Sequence, residues 1–327
     1  MVAGRSAGRA VCLKIYQKTD ILRDDALRRR ILREVDAHKV IFAGTQKRNI
    51  ETFVLRIEAS LVDASRVFLA TELMCRNLLQ EIAENVLEKN TIRKWIAQID
   101  LGLFVIHHRK IIHGALRPES ILVGFDGNVK VTDLSASLPA SSFTNRMHEK
   151  PQWPYSAPET WNRTPGTIVT KAIDYWGLGV IVVGLEAERK HTRWVFDVNY
   201  GEAFRRWYDT AYPTFPGLDD EATALVSGLL NSYPELRFGH LQLKKQRYFG
   251  TTNRDNKYAE IEQWKPKDPP YIPLESKASH PEKYLPTDKI EDHKDCDARF
   301  KPFCWINNKG VWGKAVKGHG EIMYSSR

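Results

Sequence analysis

Cysteine is scarce in this chain of 327 residues, with four cysteines at positions 12, 75, 296 and 304. No two of them have the spacing of a metal site or of a redox motif, and a chain of this length can bury a core without disulfide bonds. We therefore expect reduced thiols and a cytoplasmic or nuclear protein.

Long apolar runs are missing as well. The longest, YWGLGVIVVGL at residues 175–185, is shorter than the roughly 20 residues that a membrane-spanning helix needs. The opening stretch MVAGRSAGRA does not contain the apolar segment of a secretory signal peptide. The sequence predicts no membrane contact, and residues 175–185 are expected to form a buried helix.

Positive charge is only moderately in excess, because 49 basic and 40 acidic residues give a net charge of +9. The densest basic run, residues 28–30, is followed by Arg33 and is interpreted as the solvated face of a helix rather than a surface that binds nucleic acid. Hydrophobic residues make up 42% of the chain, which is typical of a packed globular protein. We expect a monomer of about two domains.

Near the N-terminus, a lysine and a glutamate stand out. The run VCLKIY at residues 11–16 alternates apolar residues and predicts a strand with Lys14 on the opposite face. A helix should follow, because Leu27, Ile31 and Val35 recur every four positions. Glu34 borders this apolar stripe, and a buried carboxylate requires a cationic partner. Lys14 is the candidate for the cationic partner of Glu34.

The rest of the chain shows further elements of both types. The pattern predicts two strands in residues 53–73, a helix over 91–108, a hairpin over 120–131 with its turn at Asp126-Gly127, and helices over about 174–185 and 220–230. The proline-rich stretch from Trp264 excludes regular helix. It is expected to form an extended surface tail.

Taken in order, these segments resemble the motifs of protein kinases, and within that family the AGC class, which includes the cyclic-nucleotide-dependent kinases. VCLKIY resembles the strand with the nucleotide-anchoring lysine, FLATELM the hinge, HGALRPESIL the catalytic loop and DLS the metal-binding triplet. YSAPET, KAIDYWGLGV and LRFGH resemble the anchor of the activation segment, the buried organising helix and an arginine partner. RYFGTTN, PPYIP and FKPFCW resemble an AGC tail.

The resemblance implies an α+β, bilobal kinase fold with a defined domain order. Residues 1–73 would form a small, β-rich and incomplete N-lobe, and residues 74–250 a larger helical C-lobe. Residues 251–306 would form the AGC-like tail with its Phe-x-x-Phe motif at Phe300 and Phe303, followed by a mobile basic tail over 307–327.

The resemblance also assigns roles to individual residues, with ATP and Mg²⁺ as the cofactors. Residues expected at the nucleotide are Lys14, Glu34, Thr71 as gatekeeper, Glu72, Met74, Leu122 and Asp133. Residues expected at the metal are Asp133 and Ser120. Residues expected to support the fold are Glu159 and Arg237 as an ion pair, Asp174 as the acceptor for the catalytic loop, and Phe300 and Phe303.

Several positions depart from the kinase pattern. Ala115 occupies the place of the aspartate that accepts the substrate proton, and Gly114 replaces the neighbouring arginine. Arg117 replaces the loop lysine and keeps only a weak phosphate or substrate contact. Ser120 replaces the metal-binding asparagine, and Ser135 replaces the glycine of the triplet. His113 and Glu119 are two conceivable substitutes for the missing base.

The N-terminal segment is a further departure. Only thirteen residues precede Lys14, and Gly4 and Gly8 are the only remnant of a glycine-rich phosphate loop. A flexible terminus is the favoured interpretation over a phosphate clamp. Either the gene model lacks a first exon or the small lobe lacks its lid.

Three functions remain open from the sequence. The first is a catalytically impaired kinase domain that acts as an ATP-binding or allosteric interaction module for a protein partner. The second is a divergent but active serine/threonine kinase that transfers the γ-phosphate of ATP to protein hydroxyls. The third is a scaffold that binds no nucleotide.

Overall fold

The computed structural model describes residues 2–6, 9–43, 53–140, 142–143, 152, 154–161, 168–189, 217–250, 256–263 and 297–306. The stretch from residue 264 to 296 and the basic C-terminal end, predicted to be extended and mobile, lie outside these residues. The described residues form a small antiparallel sheet and a larger helical region, as expected for the α+β class.

The small sheet contains five strands in the order β1-β2-β4-β3-β12, and all neighbours are antiparallel. Their bounds are β1 (Val2–Ser6), β2 (Arg9–Gln17), β3 (Ile57–Val62), β4 (Arg66–Glu72) and β12 (Trp305–Ile306). The strand predicted at residues 11–16 is therefore confirmed, as are the two strands predicted within 53–73.

Strand β1 corrects an expectation about the N-terminus. The sequence favours a flexible terminus before Lys14, but residues 2–6 pair with β2 in a register that sets Gly4 opposite Val11. The backbone N–H and C=O groups along the edge of β2 require partners, and β1 provides them. This pairing depends on the backbone, so the apolar pattern gave no sign of it.

Two helices follow β2 and cover one face of the sheet, α1 (Lys18–Arg23) and α2 (Asp25–Phe42). Helix α2 begins at Asp24, whose carboxylate accepts hydrogen bonds from the backbone N–H groups of residues 26 and 27. Ile31 and Val35 are buried against the sheet, as the four-residue spacing predicts. Arg29 and Arg30 are exposed.

The helical region is built around two long, largely buried helices, α4 (Lys89–His108) and α5 (Ala172–Arg189). Shorter helices surround them, namely α3 (Leu78–Glu84), α6 (Asp220–Leu229), α7 (His240–Leu243) and α8 (Lys257–Glu262). The three helices predicted in this region are confirmed. None of the helices in the described ranges is both long enough and apolar enough to cross a membrane.

Short strands join this region to the sheet. Strands β5 (Arg76–Asn77), β7 (Ile121–Val123) and β8 (Val129–Val131) form a three-stranded sheet. The turn between β7 and β8 is at Gly127, which has a φ of 71°. Two two-stranded pairs complete the region, β6 (Ile111–Ile112) with β9 (Leu138–Pro139) and β10 (Ser142–Phe143) with β11 (Ile168–Val169). The loops 113–120 and 132–137 therefore flank the β7–β8 hairpin.

The C-terminal part of the described chain returns to the small sheet. Phe300 and Phe303 are buried in one cluster with Ile31, Val35 and apolar residues of β3 and β4. Strand β12 then adds to the free edge of β3. The ammonium group of Lys18 lies 4.8 Å from the ring centre of Phe300. The aromatic tail is thus packed between helix α2 and the sheet.

Candidate functional site

A cavity of about 510 Å³ lies between the small sheet and the β7–β8 hairpin. Sites for small molecules commonly have volumes of ~300–1,000 Å³. The seven residues that the sequence assigned to a nucleotide all line this one cavity: Lys14, Glu34, Thr71, Glu72, Met74, Leu122 and Asp133.

An ion pair joins the sheet to helix α2 at the cavity wall. Lys14 Nζ lies 2.5 Å from Glu34 Oε1, and the Glu34 side chain is buried. Burial opposes the charge of Lys14, but the Glu34 carboxylate, together with Tyr16 and Asp133, outweighs this effect, so the pKa of Lys14 is raised. Lys14 is therefore a fixed cation at the cavity. Removing one member of a buried pair commonly costs ~3–5 kcal/mol of stability.

Two further residues of β2, which the sequence analysis did not single out, line the cavity. Cys12 and Tyr16 flank Lys14 at a spacing of two, which places all three side chains on the same face of the strand. Burial raises the pKa of Cys12, and it raises the pKa of Tyr16 to about 12. Both side chains are therefore neutral at physiological pH. The alternation of side chains along a strand, which repeats every two residues, would have placed both residues beside Lys14 from the sequence.

The opposite wall is formed by the end of β4 and by the hairpin. Thr71 is buried and its hydroxyl donates to the carbonyl oxygen of Glu72 at 3.2 Å. The Glu72 side chain is paired with Lys130 of β8, with 2.5 Å between Nζ and Oε1. Met74 and Leu122 contribute apolar surface. Lys130, which the sequence did not reveal, thus ties the hairpin to the segment that follows the gatekeeper position.

Asp133 presents a carboxylate to the cavity from a strained turn. Its backbone is in the left-handed region, with φ 62° and ψ 64°, which is uncommon for residues other than glycine. The hydroxyl of Ser135 donates to Asp133 Oδ1 at 2.7 Å. Burial opposes ionisation, but Lys14 and then this hydrogen bond outweigh it and lower the pKa of Asp133. The carboxylate is therefore ionised.

Asp174 holds the loop at residues 113–120 in place. Its carboxylate accepts the backbone N–H of His113 at 2.8 Å and that of Gly114 at 2.9 Å. The ring of His107 lies 2.7 Å from the same carboxylate. Burial opposes ionisation of Asp174, but the hydrogen bonds from His107 and from the loop backbone, together with the nearby imidazoles, outweigh it and lower the pKa. The loop is fixed, and the next side chain along it is the methyl group of Ala115.

His113 is not placed to replace the missing base. It is fully buried, and its Nε2 donates to the carbonyl oxygen of Thr132 at 2.8 Å. Its Nδ1 accepts the backbone N–H of Ala115 at 3.3 Å. Glu119, by contrast, lines the cavity, with its carboxylate 4.0 Å from Nε of Arg117. Of the two substitutes considered from the sequence, Glu119 is the one that reaches the site.

Ser120 is turned away from the cavity, contrary to its assignment as a metal ligand. The residue is 1% exposed. Its hydroxyl donates to the carbonyl oxygen of Arg117 at 2.8 Å and accepts the backbone N–H of the same residue at 3.0 Å. A hydroxyl has one proton and two lone pairs, so this geometry engages most of its bonding capacity within the loop.

The remaining assigned pair lies away from the cavity. Arg237 donates to both carboxylate oxygens of Glu159, at 2.7 and 3.0 Å. It also donates to the carbonyl oxygens of residues 172 and 231, and its guanidinium lies over the ring of Trp176. Two parallel bonds make such pairs geometrically specific. This pair joins the segment at 157–161 to helix α5.

Comparison with known proteins identifies the family of this fold. Residues 1–249 match the family model described as the protein kinase domain. The chain belongs to the protein kinase family. Kinases of this family generally use ATP and Mg²⁺.

Several serine/threonine kinases are similar to this kinase domain. CBL-interacting protein kinase 4 of Oryza sativa subsp. japonica is 29% identical over 239 residues, which cover 71% of this chain and 50% of that protein. Aurora kinase of Schizosaccharomyces pombe is 25% identical over 249 residues, covering 74% and 64%. Serine/threonine-protein kinase N3 of Mus musculus is 25% identical over 287 residues, covering 84% and 30%. The chain spans about half the length of the first of these relatives.

The residues at the cavity fit the nucleotide of this family better than its metal. Magnesium prefers near-octahedral oxygen coordination, with protein carboxylates as typical ligands. Within the described ranges, no group of three or more His, Cys, Asp and Glu side chains is arranged to hold a metal ion. Asp133 is the one assigned ligand that faces the cavity, and one of its oxygens is already hydrogen-bonded.

Proposed function

We propose that this kinase domain binds a nucleotide in the cavity, transfers phosphate far more slowly than ordinary kinases, and acts on another protein as a binding or allosteric module. The observation that carries the proposal is the methyl side chain of Ala115 on a loop held by Asp174. Phosphoryl transfer in kinases depends on an acid that accepts the proton of the substrate hydroxyl.

The nucleotide half of the site supports the first part of the proposal. The pair of Lys14 with Glu34 and the ionised Asp133 lie around one cavity. A charged lysine at this place would bind phosphate oxygens, and Met74 and Leu122 would contact the base. Burying an ion pair is costly unless the geometry is good, so its presence at a cavity favours a binding role.

The expected rate follows from the missing base. General-base catalysis contributes ~10²–10⁴-fold, and kinases commonly turn over at ~1–100 s⁻¹. Loss of the base alone would leave ~10⁻⁴ to 1 s⁻¹. An active, divergent serine/threonine kinase is the second candidate, and the carboxylate of Glu119 at the cavity is the observation that favours it.

The tail supports an assignment to the AGC type. The burial of Phe300 and Phe303 against helix α2, followed by strand β12, is the arrangement expected of a tail with a Phe-x-x-Phe motif. We further propose a monomer in the cytoplasm or nucleus, with a protein as its partner or substrate and with no binding to nucleic acid or membrane.

A thermal-shift titration with ATP tests nucleotide binding. The wild-type chain should be stabilised by ATP, since a ligand that binds only the folded state raises its stability. Lys14→Ala should abolish this shift, whereas Lys39→Ala, at a half-exposed position of helix α2 that does not line the cavity, should keep it. Each shift is measured from the variant's own midpoint, because Lys14→Ala also leaves Glu34 unpaired. No shift in the wild type would support a scaffold that binds no nucleotide.

Transfer of radiolabelled phosphate to a protein or peptide substrate tests the catalytic part. The proposal expects transfer no faster than ~10⁻⁴ to 1 s⁻¹. Transfer at ~1–100 s⁻¹ that is lost in Asp133→Ala and in Glu119→Gln would instead establish the active kinase with Glu119 as its base.

A further inference from the structure

The hydroxyls of Ser135 and Ser120 are both engaged in hydrogen bonds within the protein. Ser135 donates its proton to Asp133 Oδ1 at 2.7 Å. Ser120 directs its hydroxyl into the backbone of Arg117 and is 1% exposed. From these contacts we infer that the cavity binds its nucleotide without a divalent cation, an inference that rests on the nucleotide-binding function proposed above.

The first step concerns the number of available ligands. A cation shared with a nucleotide is commonly held by one or two carboxylates as well as by phosphate oxygens. Here Asp133 Oδ1 accepts a hydrogen bond from the Ser135 hydroxyl, which competes with a cation for the negative charge of this oxygen. The hydroxyl of Ser120 is bonded within its own loop. The side chains at this site therefore contribute little binding energy to a cation.

The second step concerns the charge of Asp133. An ionised carboxylate close to phosphates would repel them unless its charge is compensated. In this structure the Ser135 hydroxyl donates a hydrogen bond to the carboxylate, and Lys14 lines the same cavity. The hydrogen bond from Ser135 thus partly compensates the negative charge of Asp133, as a bound cation would.

The third step concerns the phosphates themselves. Lys14 and Arg30 both line the cavity. Hydrogen bonds from cationic N–H groups to phosphate oxygens are short and strong. A nucleotide can therefore be held by side chains that the protein supplies, and adding a cation changes the number of protein contacts by little.

Isothermal titration calorimetry with ATP, in excess magnesium and separately in EDTA, tests the inference. We expect dissociation constants that differ by less than about threefold between the two conditions. A larger difference in either direction would overturn the inference and leave the proposed nucleotide site standing. Absence of binding in both conditions would overturn the proposed function and this inference together.

Ser135→Gly tests the residue that carries the argument. Removal of the hydroxyl frees Asp133 Oδ1, so ATP binding should become at least about tenfold tighter with magnesium than in EDTA. Ser137→Gly is the matched control in the same segment, and it should retain the wild-type ratio. If Ser135→Gly fails to fold, Ser135→Ala removes the same hydroxyl and retains Cβ. A wild-type ratio in a folded Ser135 variant would refute the role of this hydroxyl.

Discussion

Replacing Gly114 by alanine should destabilise the protein through two separable effects. Gly114 has a φ of 83°, and a residue with a Cβ pays roughly 1–2 kcal/mol to adopt the left-handed region. A Cβ at this position would also lie 2.6 Å from the carbonyl oxygen of Ala136. Forcing extra volume into a packed site costs about 1–3 kcal/mol. We therefore expect a loss of about 2–5 kcal/mol in the free energy of unfolding.

Gly127 provides the matched control for the conformational effect. Its φ is 71°, and a Cβ there would meet nothing within 4 Å. Gly127→Ala should therefore cost only the backbone part, about 1–2 kcal/mol. Urea denaturation of both variants and the wild type measures the difference. Because Ala136 ends the turn that begins after Asp133, Gly114→Ala should also weaken stabilisation by ATP. Equal losses in the two variants would refute the steric argument.

Three other changes test separate parts of the structure. Burial, followed by the charge of Lys14, lowers the pKa of His38 to about 3. Only the unfolded chain gains this proton between pH 6.5 and 3, so stability present above pH 6.5 should fall by about 5 kcal/mol. His38→Gln should flatten this part of the stability curve, and an unchanged slope would contradict the assignment. Phe303→Ala should cost about 3–5 kcal/mol in urea denaturation, whereas Phe125→Ala, at an exposed position, should cost less than about 0.5 kcal/mol. Ala115→Asp should raise phosphate transfer by less than about tenfold, and a gain that restores ~1–100 s⁻¹ would mean that the rest of the site is intact.

The elements of this fold that could be predicted are those set by local side-chain patterns. Strand β2 follows from alternation, and the buried face of α2 from the spacing of Ile31 and Val35. The contact between Lys14 and Glu34 was also predicted from the sequence, because a buried carboxylate requires a cationic partner and Lys14 was the candidate. These arguments need only the period of each element and the cost of burying a charge.

The features that could not be predicted depend on where separate loops meet. Lys130 and Glu72 are 58 residues apart, and neither lies in a pattern that requires the other. The hydroxyl of Ser120 could bond to a metal, to water or to the backbone, and the loop geometry alone selects the backbone. The same holds for Ser135, whose position as the third residue of the triplet reveals a lost glycine but not a new hydrogen bond to Asp133.

The fold depends strongly on the ion pair that lines the cavity and little on the substituted residues of the loop at 113–120. Lys14 and Glu34 are paired inside the fold, so changing either one would cost stability as well as nucleotide affinity. Ala115 and Ser120 leave the fold satisfied, because the backbone of the loop is held by Asp174 whatever side chain follows Gly114. Proton transfer can therefore be lost without loss of the fold, whereas the cavity proposed to bind a nucleotide is lined by an ion pair on which stability depends. This asymmetry is the physical reason to expect binding to outlast catalysis in such a domain.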